Sequence, residues 1–537
     1  MHEEVRNTVD ASPDAYASAE ALYRRGHIAD ALSLLERSAL TGTQAPMLNL
    51  AAACCLALQR PAQAEAYCRR AIDISPDFAD AHSNLGVVLQ RSGRVREAEA
   101  AYRRVLTIRP NHAPAHTNLG RILEMQGAFD AARTSHLRAL ECNPDEAAAH
   151  TNLGACCMQL ERFDEAEAAF RHAASLAPHD AGVHFNLGTA LKKLVRFEEA
   201  EHAYRRALTL RPDHTKARIN LAHVLLGTGQ MHEGWALFEA RYERDGWFEP
   251  PRTGIPMWRG ESLAGKSLIV WTEQGFGDSL QFCRYLPMLK AQGLAKLTFV
   301  CPAPLRALFS TLDGVDACIT IDDKFTAVPP HDYQCLLMSA PHYCGTTLES
   351  VPAALPYLRV PPERARAWRN TLPAGGFKVG LVWAGDPRNH SAHLHAVDRL
   401  RSLSAQAYLP ILRVPGATFI SLQKGASTQP QIDALPAALR PVDLMNEVKD
   451  FADTAAIIEQ LDLVITVDTS VAHLAGALNR PVWILSRYDG CWRWLYEGDD
   501  SSPWYPRARL FRQTRPGEWD DVIGEVEAAL RGVLAAR

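Results

Sequence analysis

In the first 245 residues, small and apolar positions return on a fixed step. Leu85-Gly86, Leu119-Gly120, Leu153-Gly154 and Leu187-Gly188 stand 34 residues apart. Pro76, Pro110, Pro144, Pro178 and Pro212 keep the same step, and so do Asn84, Asn118, Asn152, Asn186 and Asn220. Between a Leu-Gly pair and the next proline lies a second set of small and aromatic positions, Ala98 and Tyr102 in one copy, Ala132 and Phe170 in later ones. The pattern predicts paired helices. Small residues let the pair approach, and each proline stops the second helix because it lacks an N–H and disfavours helical geometry before it. Weaker copies are read at 17–39 and from Asn49-Leu50 to Pro76. In the last copy, 213–243, Gly234, Trp235 and Phe238 replace the alanine pattern. Six or seven units over 11–245 make a helical-repeat array.

The period then changes. Pro250, Pro251, Gly254, Pro256 and Gly260 mark 246–264 as a connector. Short apolar runs at 267–271, 297–301, 317–321 and 335–338 read as strands, with a helix at 279–289 after the turn Gln274-Gly275-Phe276-Gly277-Asp278. A second set follows the Pro/Gly stretch 372–376: strands at 379–383, 418–422, 463–467 and 482–485, helices at 405–412, 451–461 and 471–478. Strands alternating with helices predict parallel doubly wound sheets. Periodicity alone supports two α/β domains, 265–375 and 376–537, with an apolar terminal helix at 519–534 expected to span the cleft between them.

Charge narrows the function classes. The 57 basic and 61 acidic residues leave a net charge of -4, which is no footprint for nucleic acid. The polar, acidic start has no secretory h-region, and no run reaches the ~18 apolar residues of a membrane span. The 12 cysteines include no CxxC pair and read as buried reduced thiols. The expectation is a cytoplasmic protein.

The 34-residue step with its Leu-Gly, Ala, aromatic and Pro positions resembles the tetratricopeptide signature over about 200 residues. That resemblance implies a superhelix whose concave face suits an extended polypeptide. The ladder Asn84, Asn118, Asn152, Asn186 and Asn220 looks like the one in the protein O-GlcNAc transferases. An amide both donates to and accepts from a backbone, so the ladder can grip a peptide without reading its sequence; alternatively, Asn before Leu-Gly only supports the turn.

In the second half, the run from Val467-Asp468-Thr469-Ser470 through His473 to Leu478, followed by Arg480-Pro481-Val482-Trp483, closely resembles the strand–turn–helix motif of the heptosyltransferases, glycosyltransferase family 9. Gly277-Asp278 with Leu286-Pro287 resembles that family's amino-terminal Gly-Asp motif. The stretches 271–285, 379–385, 419–425 and 502–513 are similar to bacterial proteins that fuse such a domain to tetratricopeptide repeats. The implied fold class is an α-solenoid of tetratricopeptide repeats followed by an α/β GT-B catalytic region of two Rossmann-like domains. The first would face the acceptor and the second the nucleotide sugar.

The resemblance implies sugar transfer from a nucleotide diphosphate. Asp468-Thr469-Ser470, between a strand end and a helix start, offers free N–H groups and a helix dipole to the leaving diphosphate. The competing reading makes Thr469 or Ser470 an N-cap only. His473, one turn on, can reach phosphate or ribose, or is a satisfied core residue. Gln423 and Lys424, after the strand 418–422, are candidates for base, sugar or phosphate, or a solvated loop. Arg388 and Arg401 flank a loop carrying His390, His393 and His395, taken as facing phosphate or acceptor rather than a metal. Asp278 is the candidate general base, with Glu273 in reserve; as a cap it would instead start its own helix. Gly275 and Gly277 permit close backbone approach. Trp492, Trp494, Trp504 and Tyr505 read mainly as core, and Arg487 and Asp489 as possible donor contacts. With no Asp-x-Asp at a strand end, a metal-independent, inverting reaction without cofactor is expected. Its donor, UDP-GlcNAc, an ADP-heptose or another activated sugar, stays open. The alternatives are a lipopolysaccharide-type saccharide transferase recruited by its repeats, and a scaffold with a degenerate transferase domain.

Overall fold

The computed structural model describes residues 13–39, 44–243, 253–320, 328–385, 398–425, 428–496 and 498–537. Its first part is a series of helix pairs, from Pro13–Arg24 with Ile28–Ala39 to Thr215–Gly227 with Met231–Phe238. Among the described residues this part has fourteen helices. The glycines of three Leu-Gly motifs, Gly86, Gly120 and Gly154, have a packing reason. A Cβ on Gly86 would stand 2.6 Å from the Tyr102 ring, and one on Gly154 would stand 2.6 Å from Phe170. In the copy between them the ring is His136, fully buried against Gly120 and bonded to Glu124 Oε1 at 3.1 Å.

Two further regularities share the 34-residue step and escaped the sequence reading. The turn inside each pair holds one residue in the left-handed region: Gln59, Gly93, Gly127, Glu161, Val195 and Gly229, with φ of 57°, 73°, 76°, 58°, 62° and 84°. The second is a histidine ladder. His82, His116, His150 and His184 each bond through Nε2 to the carbonyl of Pro76, Pro110, Pro144 and Pro178, at 2.8, 2.8, 2.8 and 3.1 Å. Each proline therefore ends one helix and offers the carbonyl that fastens the next.

The chain folds as two compact units, 1–194 with 209–211, and 195–208 with 212–537. The division falls inside the repeats, not at the 245/246 boundary that the change of period suggested. The last pair explains this. Leu226, Met231, Trp235 and Phe238 share one core with Leu268, Val270, Phe282 and Leu286 of the α/β region.

That region holds two parallel sheets. In the first, β1 (Ser267–Trp271), β2 (Lys296–Cys301), β3 (Ala317–Thr320) and β4 (Tyr333–Leu336) run in the order β3-β2-β1-β4. In the second, β5 (Phe377–Val382), β6 (Ala417–Ser421), β7 (Val442–Asp443), β8 (Leu463–Val467), β9 (Val482–Ser486) and β10 (Ala508–Arg512) run in the order β10-β9-β8-β5-β6-β7. Apolar residues such as Val270, opposite Phe299, and Ile465, opposite Trp483, fill the layers. The chain order reverses at β1 in one sheet and at β5 in the other. Ligands in open α/β sheets bind outside the strand ends at such points. The architecture is that of a GT-B transferase. β7 and β10 were not foreseen, since one is two residues long and the other carries Arg509 and Arg512.

Two expectations are corrected. The terminal helix Asp520–Ala535 does not bridge the sheets. It buries Val522, Ile523, Val526 and Leu530 with Phe377, Trp383, Tyr408 and Phe511 of the second sheet, because its apolar stripe faces one way. The described part of the connector is not a free linker. Gln334 N donates to Pro256 O and Trp258 N donates to Gln334 O, both at 2.8 Å, so it lies along β4 with Trp258 buried. Residues 246–252 of it lie outside the described residues.

Candidate functional site

Beyond β1 the chain turns through Gly275 into the helix Phe276–Phe282. Asp278 caps that helix: its Oδ2 accepts from Gly275 N at 3.1 Å, while Oδ1 forms an ion pair with Arg493 Nη2. Asp278 thus helps to cap the helix as its third residue, with Gly275 at the N-cap, rather than standing ahead of a helix that begins at Ser279, and an arginine that the sequence reading missed holds the other oxygen. Burial works against the Arg493 charge, but Asp278, Cys491 and Asp468 together outweigh it and the guanidinium pKa ends above its ordinary value. Glu273 cannot serve as the reserve base. Its side chain is 0 % exposed, gripped by Arg241 at 2.8 and 3.0 Å and by Met338 N at 2.9 Å. It is part of the frame.

Beyond β8, Thr469 is the N-cap of the helix Ser470–Ala477, yet its hydroxyl makes no capping bond and pairs with Thr466 Oγ1 at 3.1 Å. The leading N–H groups of that helix are left without a side-chain cap, and such groups suit an anion. His473 is buried, with Nδ1 bonded to Tyr505 Oη at 3.1 Å and its ring stacked on Trp494 at 5.1 Å. Burial, aided by Arg493, Arg284 and Arg401 and opposed by Asp468, pushes its pKa down to about 3. It is a neutral ring throughout the physiological range. Trp492, Trp494, Trp504 and Tyr505 are all buried.

Arg401 does reach this turn. Nη1 donates to Asp468 O at 2.6 Å, Nη2 pairs with Asp398 at 2.6 Å, and a Cβ on Gly385 would lie 2.7 Å from the guanidinium. Gln423 and Lys424 hold backbone instead of facing the turn. Gln423 Oε1 accepts from Trp383 N at 3.1 Å and Ala384 N at 2.9 Å, and Lys424 Nζ donates to Val448 O at 2.6 Å. Arg388 and the His390–His393–His395 loop lie outside the described residues.

The two turns meet. A Cβ on Gly277 would stand 3.0 Å from the His473 ring and 3.5 Å from Ser470 Cα. Gly277 is needed because one helix start lies on the other, and Asp278 follows it directly. A concavity of about 960 Å³ lies elsewhere, between the helix Val95–Ile108 and Met125. In the first unit Asn84 Nδ2 donates to Asn49 Oδ1 at 2.8 Å. The half-buried amides of Asn118, Asn152 and Asn186 make no side-chain hydrogen bond among the described residues, and neither does Asn220 in the second unit.

Family models match stretches in both halves of the chain. Residues 77–144 match a tetratricopeptide-repeat family, 5–71 the anaphase-promoting complex, cyclosome, subunit 3, and 117–247 the middle TPR-like domain of cilia and flagella-associated protein 70. Residues 419–486 match glycosyltransferase family 9 (heptosyltransferase), a span that runs from β6 through Asp468, Thr469, Ser470 and His473 to β9. The chain carries tetratricopeptide repeats followed by a family 9 glycosyltransferase domain. Protein FlbA of Caulobacter vibrioides is 30% identical over 337 residues, 59% of this chain and 55% of that protein. The chain thus spans about half the length of this relative. Among solved structures, YrrB, a TPR protein with an unusual peptide-binding site, is 23% identical over 32% of this chain and 88% of its own, with TM-score 0.29. Pseudomonas aeruginosa pilF is 20% identical over 38% and 92%, with TM-score 0.35. Asp278 and Arg493 lie outside the stretch matched to the family 9 domain. Among the described residues no helix is long and apolar enough to cross a membrane.

Proposed function

We propose that the chain is a glycosyltransferase that moves a sugar from a nucleotide-diphosphate donor to a hydroxyl on a polypeptide held by the repeats. The observation that carries this reading is the meeting of the two turns, a carboxylate at Asp278 next to a glycine that touches the uncapped start of the Ser470–Ala477 helix. In the proposed reaction the acceptor oxygen attacks the anomeric carbon and its proton passes to Asp278. The bond from that carbon to the diphosphate oxygen breaks with inversion. The leaving charge is taken by the N–H groups of Ser470 and Val471, the helix dipole and Arg401, with no metal in the scheme. The unengaged amides of Asn118, Asn152 and Asn186 support a peptide in the repeats. Gln423, Lys424 and His473 act by holding the strand ends and the helix in place.

The test is incubation of purified full-length protein with a panel of UDP-, ADP- and GDP-sugars. Hydrolysis or transfer by the wild type that falls at least a hundredfold in Asp278→Ala supports the reading; equal turnover in both sinks it. Trapped protein targets that disappear when Asn118, Asn152 and Asn186 are changed together support a polypeptide acceptor over a glycan. A second reading, a binding scaffold with an inactive transferase fold, is favoured by the engagement of both Asp278 oxygens. It predicts no turnover of any donor and no thermal shift with UDP, ADP or GDP.

A further inference from the structure

The last repeat touches the candidate site through one short segment. Residues Cys491 to Tyr496 leave β9 and reach the repeat twice. Trp492 packs edge-on against Trp235 at 5.4 Å and lies parallel to His223 at 6.4 Å, with Phe238 at 6.3 Å. Tyr496 donates its N–H to Gly227 O of the last repeat at 2.8 Å, and its ring stacks at 3.8 Å and an interplanar angle of 7° on Phe197, which begins the helix Phe197–Leu210 just before that repeat. Gly227 ends the helix Thr215–Gly227, and a Cβ there would fall inside the Tyr496 ring. Between these anchors stand the two residues that reach the site. Arg493 lies 4.3 Å over Trp492 and pairs with Asp278, and Trp494 stacks on His473. Leu495 closes the segment at φ 55°, ψ 153°, a region that side-chain-bearing residues rarely adopt. Such a conformation persists only where the surroundings over-determine it. Here they are Trp494 on one side and Tyr496 on the other.

On the other side of the same corner, Arg241, in the turn Glu239–Glu243 just beyond the last repeat, grips Glu273 at the start of the Gly275 turn. The repeat end thus braces both the segment that holds Asp278 and the turn that presents it.

We propose that Arg493 is a positioning residue for Asp278 and that the last repeat, through Trp492 and Tyr496, sets where Arg493 stands. The inference rests on Asp278 as the base. It makes the last repeat a working part of the transferase, while the earlier repeats carry the partner. Arg493 fixes one carboxylate oxygen and Gly275 N the other, which leaves each oxygen a lone pair for the acceptor proton.

The experiment uses the full-length chain with Arg493→Gln, Arg493→Lys and Trp492→Leu, read as kcat and donor KM on whichever nucleotide sugar the wild type turns over. Arg493→Gln is expected to lower kcat at least tenfold with donor KM within twofold, and Arg493→Lys to recover most of it. Trp492→Leu should lower kcat by a smaller factor, and the Trp492→Leu, Arg493→Gln double variant should be no worse than Arg493→Gln. An unchanged or raised kcat in Arg493→Gln, or no effect of Trp492→Leu, overturns the proposal. If the wild type turns over no donor, the transferase reading fails by itself. The brace is then judged by thermal unfolding of Asp278→Asn, Arg493→Gln and their double variant. Coupling between the two that vanishes in the Trp492→Leu background upholds the brace, and additive effects refute it.

Discussion

In the repeats, Tyr102 rests on Gly86 and Phe170 on Gly154, each sixteen residues away in sequence, and every histidine tie spans six. In the transferase half, Arg493 reaches Asp278 across 215 residues and Arg284 reaches the Trp504 carbonyl across 220. The first region is built from contacts that a single repeat nearly contains. The second is built from contacts that exist only once both sheets and the last helix pair are in place. Local contacts can be changed one copy at a time. The long-range ones should fail together.

The largest expected effect follows from that contrast. Arg241 is 0 % exposed and its charge is met by Glu273 and Glu239. Glu273→Ala leaves a buried guanidinium short of its main partner and frees Met338 N, a loss of about 3–5 kcal/mol. Denaturant unfolding should then separate into two steps, with the second unit lost early and helical signal from the first persisting. Glu141→Ala removes an ion pair whose partners are 63% and 59% exposed, and it should leave the curve where it was. A single transition for Glu273→Ala at the wild-type midpoint would erase the distinction between the two regions.

The same contrast explains what was legible in the sequence. Helix pairs, the Leu-Gly glycines and most strands follow from period and composition, because each depends on neighbours within one repeat or one strand. Asp278, Thr469 and Ser470 could be singled out because they stand in the turns that follow strands, and Arg401 because it flanks the loop after the strand at 379–383. That these turns meet through Gly277 was not readable, because glycine in a turn has the same signature with or without a helix pressed on it. Arg493 was hidden for another reason. In Cys491-Trp492-Arg493-Trp494 the aromatics suggest core, and nothing local shows that the arginine between them crosses to the other sheet. Gln423 and Lys424 were placed on the right loop, yet their side chains are spent on backbone groups that only the folded register supplies.

A middle-sized effect in the transferase half depends on pH, because burial holds the His473 pKa near 3 against an ordinary 6.5. Between those values the unfolded chain binds a proton that the folded one refuses. Stability should therefore fall as pH drops below about 6.5, by up to ~1.4 kcal/mol per unit, and be unaffected above it. Comparing unfolding of wild type and His473→Gln from pH 7 to 4 isolates this group from the carboxylates that titrate in the same window. Parallel curves would mean that His473 is protonated in place.

The smallest effect tests whether the repeat rule is as local as the contrast requires. The turn position that is left-handed in every pair from Gln59 to Gly229 is glycine in three copies and Val195 in one. A β-branched residue there brings its Cβ close to the backbone, a penalty of about 1–2 kcal/mol. Val195→Gly removes that penalty and gives back about 0.5–1 kcal/mol through the greater freedom of the unfolded chain. The expected outcome is a gain of about 1 kcal/mol or less, read as a raised unfolding midpoint. Gly93→Val, at φ 73°, should lose a comparable amount. If the two changes are nearly equal and opposite, the step dictates the backbone and the residue only tolerates it. If Val195→Gly destabilises, the side chain at that position has a packing role that the other copies lack, and the repeats are less interchangeable than their period suggests.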